Sequence, residues 1–135
     1  MVQTITRGIE AMLAEANAHV TSITVTEAVK LVGNQEYVFV DLRDIRELQR
    51  DGKIPGAFSC PRGMLEFWID QDSPYHKEVF NQDVTYVFYC NSGWRSALSA
   101  KTAMDMGLNP VVHIEGGFRA WRQTEAPVLP VEKKA

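Results

Sequence analysis

The sequence predicts a single α/β domain built on an open parallel sheet of about five strands, with helices on both faces. Three observations carry this. The runs Tyr37-Val38-Phe39-Val40, Val84-Thr85-Tyr86-Val87-Phe88-Tyr89 and Val111-Val112-His113-Ile114 are dominated by β-branched and aromatic residues, the pattern of strands buried on both faces. Each run is followed by a helix-forming segment, the alternation that a parallel sheet requires because its crossovers are helical. A length of 135 residues suits one core and leaves little for a second.

From the amino terminus, Ile5, Ile9, Met12, Leu13, Ala16 and Val20 recur at helical spacings with Glu10, Glu15 and Asn17 between them. This predicts an amphipathic helix over the first twenty residues. Thr24 stands three residues before Glu27, a capping-box spacing, and opens a short second helix that Gly33-Asn34 stops. After the first strand, residues 44–50 read as helix, ended by Asp51-Gly52. Ile54-Pro55-Gly56-Ala57 is a turn into a brief extended piece through Phe58 and Cys60, cut by Pro61. Residues 63–69 are apolar enough to pack, and Asp72-Ser73-Pro74 marks a turn. The run at 84–89 leads straight into Cys90, and Ala97, Leu98, Ala100, Lys101, Ala103 and Met104 make a helix up to Gly107. Beyond the strand at 111–114, Gly116-Gly117 is a turn and residues 118–123 a last short helix. Residues 1–22 thus read as a helical extension, 23–127 as the domain proper and 128–135 as a flexible tail.

Acidic residues outnumber basic ones by 17 to 14, and no Lys/Arg stripe compensates locally, so nucleic acid is not an expected partner. No apolar run approaches the roughly 20 residues of a bilayer span, and no basic-then-apolar leader opens the chain. Neither a membrane nor secretion is expected. The two cysteines, Cys60 and Cys90, are too few for a disulfide framework and imply a reducing cytoplasm. His19, His76 and His113 are scattered without ligand spacing, so neither metal nor cofactor is expected.

Ligands of open α/β folds sit beyond the carboxyl ends of the strands, and Cys90 falls there, just before a helix begins. Gly93 and the small polar Asn91 and Ser92 allow successive backbone N–H groups to turn inward as an anion-binding nest, and the following helix adds its positive end. A thiol in that setting, near Arg95, is expected to ionise below the ordinary cysteine range. No His or Asp is adjacent to act as general base, which disfavours chemistry on a poor nucleophile. Thiolate attack on soft sulfur needs no such base. Cys60, before Pro61 in a turn, lacks this setting and reads as structural.

In order and approximate spacing, Asp41-Leu42-Arg43, Glu47, Gly52-Lys53-Ile54-Pro55-Gly56-Ala57, Cys90-x-x-Gly93-x-Arg95-Ser96, and Gly116-Gly117 with Trp121 resemble the rhodanese domain over roughly residues 23–127. The resemblance implies the rhodanese-like fold and a single-domain sulfurtransferase. Cys90 would take a sulfane sulfur from thiosulfate or a similar donor, become a persulfide, and pass the sulfur to a thiophilic acceptor, cyanide in the usual assay. The partners implied are a small-molecule donor and acceptor, or a protein sulfur acceptor. The site would comprise Cys90 and the loop Asn91, Ser92, Gly93, Trp94, Arg95 and Ser96. Arg62, in a segment resembling a pocket wall of the family, would be a second cation for an anionic donor. Lys53 stands where the family commonly has histidine, a change read as structural. Trp94 either packs outside the loop or shapes the mouth of the site. Arg43 and Glu47, four apart, read as an ion pair at a helix start, and Gly116, Gly117 and Trp121 as turn and core.

Two rivals remain. A cysteine phosphatase or arsenate reductase also sets a thiolate in an arginine-closed loop, but with five residues between Cys and Arg, where this chain has four. The other is a persulfide carrier or binding module for a specific protein partner: inactive members of the family typically lose the cysteine, and Cys90 is present, but the carrier stays open because nothing in the sequence names the acceptor.

Overall fold

The computed structural model describes residues 2–133. Strands β1 (Thr21–Ile23), β2 (Tyr37–Asp41), β3 (Phe58–Ser59), β4 (Thr85–Tyr89) and β5 (Val111–Ile114) form one sheet in the order β1-β5-β4-β2-β3, every neighbouring pair parallel. The helices are α1 (Ile9–His19), α2 (Val25–Val29), α3 (Ile45–Asp51), α4 (Leu65–Ile69), α5 (Trp94–Met106) and α6 (Gly117–Arg122). This is the open parallel α/β sheet that the alternating runs predict.

Strand alternation divides the core into two layers. Tyr86 and Phe88 of β4 pack with Val20, Leu65, Ala100 and Ala103, while Val87 and Tyr89 pack with Ala28, Phe118 and Trp121 on the opposite face. Three fully buried alanines of α5, Ala97, Ala100 and Ala103, let that helix lie close against the sheet. The capping box at Thr24 and Glu27 forms as the spacing requires, and Asp44 with Glu47 makes a second one at the start of α3.

Three features depart from the sequence reading. Thr21 and Ser22, assigned to the helical extension, are strand: β1 pairs with Val112, His113 and Ile114 at the sheet edge. A three-residue edge strand with one half-buried apolar side chain leaves no periodic signal, and its pairing is wholly tertiary. The first helix begins only at Ile9, and Ile5 is exposed. At the other end, Leu129 of the expected tail exchanges two backbone hydrogen bonds with Lys53, at 2.9 and 2.8 Å, and Trp121 Nε1 donates to the Pro127 carbonyl at 2.8 Å. Met1 of the extension, and Lys134 and Ala135 of the tail, lie outside the described residues.

The ion pair expected between Arg43 and Glu47 does not form. Arg43 is wholly buried and turns back onto Asp41, with Nε 2.9 Å and Nη2 2.7 Å from its carboxylate oxygens, while Nη2 also donates to the Gly52 carbonyl at 2.8 Å. The Phe118 ring lies 4.2 Å and the Tyr89 ring 5.7 Å from the guanidinium carbon. Burial works against the charge, yet the hydrogen bonds and charge of Asp41 outweigh it and raise the Arg43 pKa above its ordinary value. Glu47 is taken instead by Arg95 on α5.

Replacing one partner of a buried pair strands the other charge without water. Arg43→Ala is therefore expected to lose about 3–5 kcal/mol of stability, read as a lowered midpoint in urea unfolding.

Candidate active site

The chain turns from β2 outward to β3, then returns to β4 and proceeds to β5, so the connections leave β2 and β4 in opposite directions. The carboxyl ends of those two strands flank the crevice where such folds bind ligands. Cys90 follows the last residue of β4, and Asp44 and Glu47 follow β2.

Gly93, at φ +107°, lets the chain turn sharply into α5, and the turn wraps its amides around the sulfur. Cys90 Sγ accepts from the Gly93 N–H at 3.1 Å and the Ser96 N–H at 3.3 Å, and its thiol donates to Ser96 Oγ at 3.6 Å. Two carbonyls at the start of the loop are held by α6. Phe118 and Arg119, in the first turn of α6, donate their N–H groups to the carbonyls of Cys90 and Asn91 at 2.8 and 2.9 Å. Gly117, at φ +60°, makes this approach geometrically feasible: a Cβ there would stand 2.6 Å from the Cys90 oxygen and 2.7 Å from that of Asn91. The paired glycines, read as turn and core, thus also seat the loop.

Arg95 bridges the crevice. Its Nη1 and Nη2 donate to Glu47 Oε1 and Oε2 at 2.7 and 3.0 Å, a bidentate clasp between α5 and α3. Arg95's hydrogen bonds hold the Glu47 carboxyl below the usual range. The structure thus brings Cys90, Asn91, Ser92, Gly93, Trp94, Arg95 and Ser96 together on one turn. Arg62 it takes elsewhere, to Glu66 Oε1 at 2.8 Å and Thr102 Oγ1 at 3.5 Å, on a cavity lined by Glu15, Lys101 and Asp105 and by no residue of 90–96. Lys53 donates to the Ala57 carbonyl at 3.0 Å, a structural use.

Cys90 is 1% exposed, so the sulfur sits under the loop rather than at the base of an open bowl. Two cavities flank that loop. One, of 340 Å³, is lined by Ser92, Gly93, Trp94 and His113; the other, of 590 Å³, by Asn91, Arg50, Arg119 and Arg122. Trp94 is 61% exposed at the rim of the first. Cys60 is also buried, but burial pushes its thiol up to about 12, the behaviour of an inert core cysteine.

Sequence reasoning missed His113. It lies 17 residues beyond Ser96, inside a strand, yet Ser96 Oγ is 3.0 Å from its Nδ1. Its signal was a polar residue in an otherwise apolar buried run. Among the described residues no cluster of three or more His, Cys, Asp or Glu could hold a metal, and no helix is long and apolar enough to cross a membrane.

The family profile of the Rhodanese-like domain matches residues 24–124. The chain is 28% identical over 104 residues to mouse thiosulfate sulfurtransferase/rhodanese-like domain-containing protein 3, covering 73% of this chain and 66% of the mouse protein. It is 25% identical over 108 residues to thiosulfate sulfurtransferase GlpE of Glaesserella parasuis, covering 80% of this chain and 92% of that one. A solved structure from Rhodopseudomonas palustris, of a protein of unknown function described as a possible tyrosine phosphatase, superposes with a TM-score of 0.92. It is 61% identical and covers 95% of this chain and 98% of its own.

Gly117→Ala is expected to cost about 1–3 kcal/mol, because positive φ and overlap with two carbonyls act together; it should also slow iodoacetamide labelling of Cys90 as the amides lose their aim. An unchanged unfolding midpoint would contradict that. The Glu47 carboxyl is lowered in the folded state, so the clasp contributes fully above the unfolded carboxylate value of about 4.3 and fades as pH falls through the lower folded value. Glu47→Gln should flatten this part of the acid unfolding curve, at a cost of about 1 kcal/mol at neutral pH for a half-buried pair that water still reaches.

Proposed function

Because the chain belongs to the rhodanese-like sulfurtransferase family, we propose that it moves a sulfane sulfur from thiosulfate or a similar donor through a persulfide on Cys90. The observation that supports this most is the pair of backbone N–H groups aimed at one sulfur atom. Such donors stabilise a thiolate without any charged base and hold it fixed for attack.

In the first half-reaction the Cys90 thiolate attacks the outer sulfur of the donor. A new S–S bond forms, the donor's own S–S bond breaks, and sulfite leaves with that electron pair. Cys90 then carries the outer sulfur as a persulfide. In the second half a thiophilic acceptor attacks that outer sulfur, and Cys90 departs as the thiolate that began the cycle. The Gly93 and Ser96 amides face Sγ at the start and end of this sequence, where Sγ bears the charge. The cavity beside Asn91, where Arg50, Arg119 and Arg122 outnumber the Asp51 that pairs two of them, suits an anionic donor better than Arg62, which is held by Glu66.

The description of the Rhodopseudomonas palustris protein favours a second reading, a phosphatase. Against it stand the four-residue span from Cys90 to Arg95 and the commitment of both Arg95 Nη atoms to Glu47, which leaves the guanidinium turned from the loop. A carrier that hands the persulfide to one protein acceptor uses the same first half-reaction.

Mass spectrometry after incubation with thiosulfate should show one added sulfur, about 32 mass units, on the Cys90 peptide and none in Cys90→Ser, whose hydroxyl ionises far above a thiol and is a poor nucleophile toward soft sulfur. Turnover of p-nitrophenyl phosphate with no sulfur uptake from any donor would transfer the assignment to phosphatase. Sulfur uptake without cyanide turnover would mark the carrier.

A further inference from the structure

A hydrogen-bonded chain leads from the Cys90 sulfur to the surface across three elements. The Cys90 thiol donates to Ser96 Oγ at 3.6 Å, Ser96 Oγ lies 3.0 Å from His113 Nδ1, and His113 Nε2 lies 3.1 Å from Ser22 Oγ on β1. Ser96 is wholly buried, His113 is 4% exposed, and Ser22 is exposed. His113 and Ser22 both line the 340 Å³ cavity, with Trp94 and Glu115. The inner links are closed to water and the last is open to it.

By strand alternation His113 shares its face with Val111, a position that packs into the apolar layer under α5. An imidazole there costs desolvation that an aliphatic side chain would not. Burial accordingly lowers its pKa below the ordinary histidine value, with Glu115 pulling the other way, so the ring is neutral at pH 7. A neutral ring has one acceptor nitrogen, and with Nδ1 in that role the Ser96 hydroxyl donates to it while receiving the thiol proton. The same hydroxyl lies 3.3 Å from the Gly93 carbonyl, a second acceptor to which it turns when Nδ1 carries a hydrogen.

We propose that Ser96 and His113 form a proton relay that takes the thiol proton of Cys90 and delivers it to solvent beside Ser22. This rests on the persulfide reading for its purpose, since the first half-reaction begins from the thiolate and a resting thiol must lose its proton to enter it. In the step, the Cys90 S–H bond breaks and its electron pair stays on sulfur. That proton bonds to Ser96 Oγ as the hydroxyl's own proton moves to His113 Nδ1. The imidazolium then releases its Nε2 proton to water in the cavity. The charged groups near this chain are Glu115, which favours the imidazolium, and Arg95 with its partner Glu47, of which Arg95 favours the thiolate. Ser96 and His113 act through Cys90 and are positioning residues.

The test reads the rate of Cys90 alkylation by iodoacetamide from about pH 5 to about pH 9, by peptide mass so that Cys60 is counted separately. In His113→Asn the amide still bonds Ser96 but takes no proton, so the thiolate loses the imidazolium that forms beside it before the proton reaches solvent; the rising limb of the profile should move up by about one pH unit, with labelling there about 10-fold slower. Ser96→Ala should do the same, and Ser22→Ala, whose place water fills, should change it little. An unmoved profile in His113→Asn, with native thermal unfolding, overturns the relay. So that the result does not rest on one variant, the His113 ring is titrated by NMR in the native protein and in Cys90→Ser. A downward shift of about half a unit or more in the serine variant supports the coupling, and coincident curves overturn it. If the profiles shift as expected while no donor loads sulfur onto native Cys90, the relay stands and the sulfur-transfer reading falls. If sulfur loads and the profiles coincide, the reverse holds.

Discussion

A single buried guanidinium fixes the geometry on which the site depends. Arg43 joins the end of β2, through Asp41, to the turn at Gly52, and the ring of Phe118 lies over it. Phe118 in turn donates its backbone N–H to the carbonyl of Cys90. One ion therefore spans the strand before the crevice, the helix behind it and, one hydrogen bond further, the sulfur-bearing residue. Its charge is matched by Asp41, and the remaining Nη1, which has no hydrogen-bond partner among the described residues, lies in a guanidinium covered by aromatic rings.

The loop itself follows from a division of labour between the two sides of each peptide. A peptide plane that turns its carbonyl toward α6 turns its N–H to the opposite side. The free N–H groups at the start of α6 need acceptors, and the carbonyls of Cys90 and Asn91 supply them. The N–H groups of those two peptides are Asn91's and Ser92's; the turn of chain anchored there then carries the Gly93 and Ser96 N–H groups to the sulfur. The loop is thus anchored by a helix-terminus requirement, and Arg95 braces it through Glu47 rather than by touching the sulfur.

Much of this was readable in the residues, and the rest failed for identifiable reasons. Strands β2, β4 and β5 are apolar on both faces, so composition alone marks them; β1 and β3 have three and two residues, too few for any period to show. Cys90 with its glycine-containing turn was evident because its signal is local. Arg43 was paired with Glu47 because spacing of four is the only partner rule a linear reading offers, whereas Asp41 reaches it at spacing two through a bend that helix geometry does not describe. His113 escaped because its link to Ser96 joins a strand to the helix packed over it, and no sequence interval encodes that distance. Arg62 was drawn toward the site by its neighbours in the chain, while Glu66, one helical turn on, had the stronger geometric claim.

The brevity of the two edge strands has a consequence for how the molecule keeps to itself. A sheet margin offers unpaired backbone groups to any passing chain, and the hazard grows with the length of straight strand exposed. Here the margins are β1 and β3, only three and two residues long, and Pro61 follows closely after the second. A foreign strand could make few successive bonds along either one before the backbone turned away. The long strands, which would make adhesive borders, are all interior. The same order that places β4 and its cysteine near the middle of the sheet thus also protects a parallel sheet, whose slow, non-local pairing leaves it exposed while folding, from joining its neighbours edge to edge.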